Sequence, residues 1–240
     1  MNNTMRSNRK FNELRNIKVE INFMKNAFSS CLIEFGLTKV ICSVTVEEKI
    51  PRWLKGTNQG WLTAEYSMLP TSTNTRNDRE SIRGKLSGRT QEIQRLIGRS
   101  LRNCLNLSLL SEKLIKIDCD VLSADGGTRT TSINGSWIAL NLAVKKLMQK
   151  KILKNNPIKY GVSAISCGII AGNPFVDLDY EEDSSAEADA NFVFDSLGNI
   201  IEIQCTGEKT TISEKNFTSM YNLAKKSVIE IYQIQTNVEG

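Results

Sequence analysis

The 240-residue chain contains no histidine, and this absence excludes more chemistry than any other feature of its composition. No Ser-His-Asp or Cys-His nucleophile, imidazole general base, or His-ligated zinc or haem can be built from it. Any reaction must run on carboxylates, Arg or Lys, hydroxyls, thiols, backbone amides or a bound metal. The six cysteines (Cys31, Cys42, Cys104, Cys119, Cys167 and Cys205) include no CxxC pair, and most lie among Val, Ile or Leu. They read as small buried hydrophobes in a reducing compartment. No run approaches the roughly 18 apolar residues of a membrane-spanning helix. The opening MNNTMRSNRK is basic and polar without an apolar core, so a secretory signal is not expected. The expectation is a soluble, cytoplasmic protein with no membrane partner.

What is present is ordinary in bulk and uneven in detail. With 40% hydrophobic and 24% charged residues the chain is globular rather than disordered, and its length suits one large domain or two modest ones. Residues 17–48 contain three β-branched, alternating segments and read as strands. Residues 49–88 have few apolar side chains beyond Trp53, Trp61, Tyr66, Met68 and Leu69. They read as a long irregular stretch, which in a globular chain is usually functional. Ile93, Leu96, Ile97, Leu101, Cys104 and Leu105 recur at helical spacing and predict a helix over about 89–107. A strand over 113–122, the turn ADGG and a helix from about Thr128 to Lys150 follow. KNNP at 154–157 is the expected boundary, dividing the chain into residues 1–153 and 154–240. Beyond it YGVSAISCGIIAG and PFVDLDY read as one strand pair and NFVFD and IIEIQC as another. A last helix is capped by Thr211 or Ser213.

Three clusters carry the chemistry. From Arg76 to Arg102 there are eight Lys/Arg, seven of them arginine, against three acids. Arginine's planar fork matches phosphate oxygens in a way lysine does not. With Trp61 and Tyr66 nearby to stack bases, the stretch suits single-stranded nucleic acid, although a solvated loop and helix face would have the same composition. Asp125-Gly126-Gly127-Thr128-Arg129 lies between a strand and a helix. Its glycines let the backbone approach an anion, and the helix start offers free N–H groups, a contribution of about 0.3–1 kcal/mol. It is neither a Walker A loop nor GxGxxG, so it predicts one bound phosphate or else a plain turn. Finally, seven acids without a base fall within 177–189. If 177–181 is a strand, Asp177, Asp179 and Glu181 share a face, with Asp183 and Asp189 at the ends of a short connection. Such carboxylates favour Mg²⁺ or Mn²⁺, and a solvated acidic loop is the alternative. An inorganic phosphate ion is itself an anionic nucleophile, so a chain with these three clusters could cleave a phosphodiester without histidine, by alignment and charge neutralisation.

Longer blocks point to a family. IPRWLKG (50–56), GWLTAEYSMLP (60–70), SGRTQEIQRLIGR (87–99), DCDVLSADGGTRTTSI (118–133) and EDSSAEADAN (182–191) resemble, in this order and over nearly the whole chain, the ribonuclease PH family. The resemblance implies a phosphate-dependent 3′→5′ exoribonuclease that removes nucleotides beyond the CCA end of transfer RNA precursors and releases nucleoside diphosphates reversibly. The implied fold is α+β: a β-α-β-α arrangement resembling the second domain of ribosomal protein S5, followed by a smaller α+β half. It implies a phosphate site at Arg89, Gly127, Thr128 and Arg129, metal-binding aspartates at Asp183 and Asp189, and RNA-contacting arginines at Arg76 and Arg79. Asp183, Asp189 and Arg129 would be the catalytic groups, Mg²⁺ (or Mn²⁺) the cofactor and inorganic phosphate the co-substrate. The first half would then hold the RNA and phosphate motifs and the second the metal-binding carboxylates, in a homo-hexamer built as a trimer of dimers. A non-catalytic RNA-binding ring subunit and a hydrolytic Mg²⁺ nuclease are the competing readings. Three departures stand out: Thr71 where the family commonly has arginine, Ser87 for the first glycine of GGRT, and four residues ahead of Met5, which could be the initiator.

Overall fold

Three strands open the fold: β1 (Ile17–Ile21), β2 (Ser29–Phe35) and β3 (Thr38–Glu47). They form because small and β-branched apolar residues alternate with polar ones. In β3, Val40, Cys42 and Val44 are fully buried while Lys39, Ile41 and Ser43 point outward. The computed structural model describes Arg6 and residues 9–238, so the choice between Met1 and Met5 as initiator lies outside the described residues. After β4 (Trp61–Met68) come the short helix α1 (Glu80–Arg83), α2 (Gly88–Asn103), β5 (Leu114–Ser123) and the long helix α3 (Thr128–Gln149). The second half contains β6 (Val162–Ile170), β7 (Asn173–Val176), α4 (Tyr180–Ser185), β8 (Ala188–Asp195), β9 (Ile200–Gly207) and α5 (Glu214–Asn237).

The strands build two sheets, ordered β1-β2-β3-β5-β4 and β7-β6-β8-β9. All pairings are antiparallel except β4 with β5, which run parallel across the α2 crossover. The result is the expected α+β architecture, a β-α-β-α first part followed by a smaller α+β part. Helix α3 touches β2 and β3 of the first sheet and β6 of the second, and α5 packs on β6 and β7. The main apolar core runs through both sheets, joining Phe35, Ile117, Leu140, Ile165, Phe192 and Met220, and a small second cluster of Phe175, Leu178 and Ala186 lies apart from it. All six cysteines are free and five are buried. No helix among the described residues is long and apolar enough to cross a membrane.

Three segments differ from the sequence reading. Residues 61–68 lie inside the stretch expected to be irregular, yet they form β4. Its inward residues Leu62, Ala64 and Tyr66 alternate with Trp61, Thr63, Glu65 and Ser67, a weak apolar signal, and its partner lies some fifty residues away. PFVDLDY is a strand only to Val176. Asp177 has a left-handed φ of 55°, and Asp179 caps a helix that begins at Tyr180. Asp177, Asp179 and Glu181 therefore do not share a strand face. The expected helix 89–107 also ends early, at Asn103, with Leu107–Leu110 forming a separate 3₁₀ turn.

Asn134 shows how the central helix is tied to the second sheet. β7 pairs only with Cys167–Ile170, which leaves the β7-side edge of β6 uncovered at Ala164. The buried Asn134 side chain takes that place: its Nδ2–H donates to Ala164 O and its Oδ1 accepts from Ala164 N–H, both at 2.8 Å. Gln235 of α5 donates to Asn134 O at 3.3 Å and accepts from Ser163 Oγ at 2.8 Å. Asn134→Leu would leave two buried backbone groups unpaired at about 1–3 kcal/mol each. Urea unfolding of this variant is expected to show a loss of about 2–6 kcal/mol, and a loss within error of zero would refute the bridge.

Candidate active site

A cleft of about 1100 Å³ opens beyond the carboxyl ends of the parallel strands β4 and β5. Its walls come from the loop between β4 and α2, the heads of α2 and α3, α4 and β8. Arg79, Arg89, Gly127, Thr128, Arg129, Asp183 and Asp189 all line it, although they are spread over 111 positions of sequence.

The α3 head is shaped for an anion. Gly126 and Gly127 have φ of 73° and 63°, which side-chain-bearing residues rarely adopt. A Cβ on Gly126 would lie 2.4 Å from Leu178 O, so the close approach of the two halves also requires glycine there. Thr38 holds the loop, donating from Oγ1 to Gly126 O at 2.7 Å and accepting from Asp125 N–H at 2.9 Å. No side chain caps α3, so its first N–H groups face the cleft without a capping acceptor. Tyr66, 3% exposed, donates its hydroxyl proton to Thr128 Oγ1 at 3.0 Å. Arg129 pairs with Glu92 at 3.3 Å, and its buried Nε has no hydrogen-bond partner among the described residues. Arg89 joins from the head of α2. Ser87 caps that helix, accepting from Thr90 N–H at 3.1 Å with φ of −68°. Serine is thus accommodated here because the backbone does not need glycine's freedom.

The acidic run divides between two faces. Asp183 and Asp189 turn into the cleft, Asp183 from α4 and Asp189 from β8. Burial within the recess pushes both carboxyls above the ordinary range, and at Asp189 the neighbouring Asp183 charge pushes the same way. At Asp183, Arg129 and Arg89 partly oppose the rise. Asp189 Oδ1 is buried without a hydrogen-bond partner among the described residues. Asp177 and Glu182 instead face the N-terminal arginines, and Asp179 caps α4 by accepting from Glu182 N–H at 3.0 Å.

The proposed RNA-contacting groups separate as well. Arg79 lines the cleft and Arg76 does not; it pairs with Asp78 at 3.0 Å on the exposed loop. The two aromatics expected to stack bases do not stand in the cleft as platforms. Tyr66 is buried beneath Thr128, and Trp61 is packed edge-on against Trp53 with Arg102 4.7 Å above its ring. Sequence reasoning missed Glu65, Asp118 and Asp120, which line the same cleft. Glu65 stands opposite Asp118 in the β4–β5 ladder. Burial raises Asp118 and Asp120, and the Glu65 charge adds to both. Their i, i+2 spacing in DCDV was the available signal for a shared strand face.

Two models of the 3′ exoribonuclease family match the chain, domain 1 over residues 13–146 and domain 2 over residues 161–227. Ribonuclease PH from two strains of Caulobacter vibrioides is 52% identical over 234 residues, covering 98% of this chain and 98% of that protein. Among solved structures, rice Rrp46 superposes with a TM-score of 0.78 at 19% identity, covering 97% of this chain and 99% of that one. The Archaeoglobus fulgidus exosome with RNA bound to its active site gives a TM-score of 0.78 at 18% identity, covering 94% and 90%. These structural likenesses establish the fold, and the family matches together with the full-length identity establish descent. The chain belongs to the ribonuclease PH family of 3′ exoribonucleases.

Proposed function

We propose that this cleft is where the chain, a phosphate-dependent 3′→5′ exoribonuclease, removes nucleotides from the 3′ ends of transfer RNA precursors. The observation that carries the reading is the convergence of an uncapped helix head, Arg89 and Arg129 with the carboxylates Asp183 and Asp189 in one cleft. Gly127, Thr128, Arg129 and Arg89 hold inorganic phosphate; Arg79 in the cleft and Arg76 at its rim hold the RNA backbone. An oxygen of the held phosphate attacks the last internucleotide phosphorus. The bond to the 3′ oxygen of the preceding nucleotide breaks and that oxygen takes up the proton the hydrogen phosphate carried, directly or through water, giving RNA shortened by one residue and a nucleoside diphosphate. No proton has to be removed from the nucleophile by a base, which suits a chain without histidine.

The donor set fits Mg²⁺ or Mn²⁺: two carboxylates, one with a buried oxygen that has no hydrogen-bond partner among the described residues, while the cleft's two cysteines, Cys119 and Cys167, are buried with their thiols pushed up and so stay protonated. Among the described residues no group of three or more His, Cys, Asp or Glu forms a metal cage. Such an ion would thus keep water or phosphate oxygens beside Asp183 and Asp189. When bound, it supplies positive charge that offsets the charge on the scissile phosphate. Residues 1–153 supply the phosphate and RNA groups and residues 154–240 the carboxylates. A cytoplasmic homo-hexamer, a trimer of dimers, is the assembly this reading takes from the family, and a solution mass measurement tests it.

Incubation with a 3′-extended transfer RNA and Mg²⁺ tests the reaction. Nucleoside diphosphates are expected only when phosphate is added; monophosphates without it would mean hydrolysis, and neither product would mean RNA binding alone. Loss of one well-placed anion donor costs about 10²–10³ in rate, so Arg129→Ala should lower diphosphate release by that factor with an unchanged melting curve. The raised Asp183 and Asp189 carboxyls give a signed pH dependence. Between their unfolded and folded pKa values the folded chain binds more protons than the unfolded one, so metal-free stability falls as pH rises through that window. Asp189→Asn should therefore melt higher than the unaltered chain at pH 7 in chelator while losing Mg²⁺-dependent activity. A lower melting temperature would contradict the assigned burial cost.

A further inference from the structure

Of the seven acids within 177–189, two of those that turn away from the cleft face an N-terminal segment whose role the reaction leaves unexplained. Asp177, 1% exposed, accepts from Arg15 three times: Nη2–H at 2.7 Å, Nε–H at 3.1 Å and the backbone N–H at 2.6 Å. Arg15 Nη1–H also donates to Asp125 O, at the start of the phosphate loop, and Arg15 Nη2 lies 3.0 Å from where a Gly127 Cβ would stand. Glu182, adjacent in sequence to Asp183, accepts from Arg6 Nη2–H at 2.7 Å and from Arg9 Nη2–H at 3.1 Å. The same two groups donate to Val176 O at 2.9 Å and Asp177 O at 2.7 Å. All three arginine side chains are at most 13% exposed.

We propose that Arg6 and residues 9–15 form a strap that positions the phosphate loop and the carboxylate-bearing α4 relative to each other, with Arg15 as the shared positioning residue. This rests on the reading of Gly127–Arg129 and Asp183/Asp189 as phosphate and metal groups. Helix α4 has six residues, too few to keep its direction by its own hydrogen bonds. Its orientation comes from the Asp179–Glu182 capping box, from Tyr180 N–H donating to Asp125 Oδ1 at 3.2 Å, and from the arginines that grip Glu182 and Asp177. With Glu182 held on the strap side, the next residue, Asp183, is turned to the cleft. Arg15 bonds both the acidic segment and the loop before α3, so a change there shifts two sites at once. Arg6 bonds the α4 side and the strap's own Lys10 O and Glu13 O, and makes no bond to the phosphate loop.

The test titrates the full chain without RNA, with inorganic phosphate by calorimetry and Mn²⁺ by electron paramagnetic resonance. Lysine keeps the charge of arginine and loses its fork, and loss of an outer partner of a metal ligand typically costs about 10–100-fold in affinity. Arg15→Lys should weaken both ligands by about 10-fold or more, whereas Arg6→Lys should weaken Mn²⁺ and leave phosphate unchanged. If Arg15→Lys does not fold, as judged by circular dichroism and melting, Asp177→Asn takes its place with the same expectation. A folded variant at this pair that binds both ligands normally, or loses only one, overturns the strap. Arg129→Ala and Asp183→Asn in the same titrations report on the site itself. Unaltered binding in those two overturns the site reading and the strap together. Losses there alongside normal binding in the Arg15 or Asp177 variant overturn the strap alone.

Discussion

The buried ion pair between Arg15 and Asp177 is the contact on which the site geometry depends. Burial works against the Arg15 charge, and Asp177 with Asp125 and Asp179 more than offsets it, leaving the guanidinium pKa raised. Such a pair is not in itself a large source of stability, because both ions give up water to form it. Removing one partner, however, leaves an uncompensated charge and costs about 3–5 kcal/mol. What the pair supplies is geometry. It joins the first residues of the described chain to the loop that opens α3 and to the segment that leads into α4, adding to the bonds that Thr38 of β3 and Ser166 of β6 make to these two pieces.

Around that joint the cleft contains polar groups without the partners buried atoms usually have. Arg129 Nε and Asp189 Oδ1 are buried and unpaired among the described residues, and Asp183 and Asp189 have raised carboxyls. Unsatisfied groups of this kind are uncommon in folded proteins and gather where a ligand completes them. A cation side and an anion side therefore stand ready across one cleft. Alignment and charge can then do what histidine does elsewhere, and the fold supplies the stiffness through the all-round burial of residues 130–140 of α3 and the Asn134 bridge into β6.

Much of this was legible in one dimension. The alternation in residues 17–48, the helical spacing from Ile93 to Leu101 and the strand-turn-helix at Asp125–Thr128 are local patterns that bury one face of one element. The structure keeps each within a few residues. Less legible were β4, whose inward face includes only Leu62, Ala64 and Tyr66, and the polar residues of α3 that are buried against both sheets. Tyr66 illustrates the difficulty: composition marked it as a base-stacking platform, but depth made it a hydrogen-bond donor to Thr128.

The sequence by itself determined the family, the fold class and the residue types able to hold phosphate and metal, because these depend on motif blocks and on periodicities of 2 and 3.6 residues. Only the tertiary structure decided which acid does what. Asp177, Asp179, Glu182, Asp183 and Asp189 are chemically alike and close in sequence, and nothing local distinguishes them. Their roles follow from what each meets: Arg15 behind Asp177, a helix start at Asp179, Arg6 and Arg9 at Glu182, and the open cleft before Asp183 and Asp189. A carboxylate's function is set by the charge and solvent around it, and that environment is assembled from residues far apart along the chain.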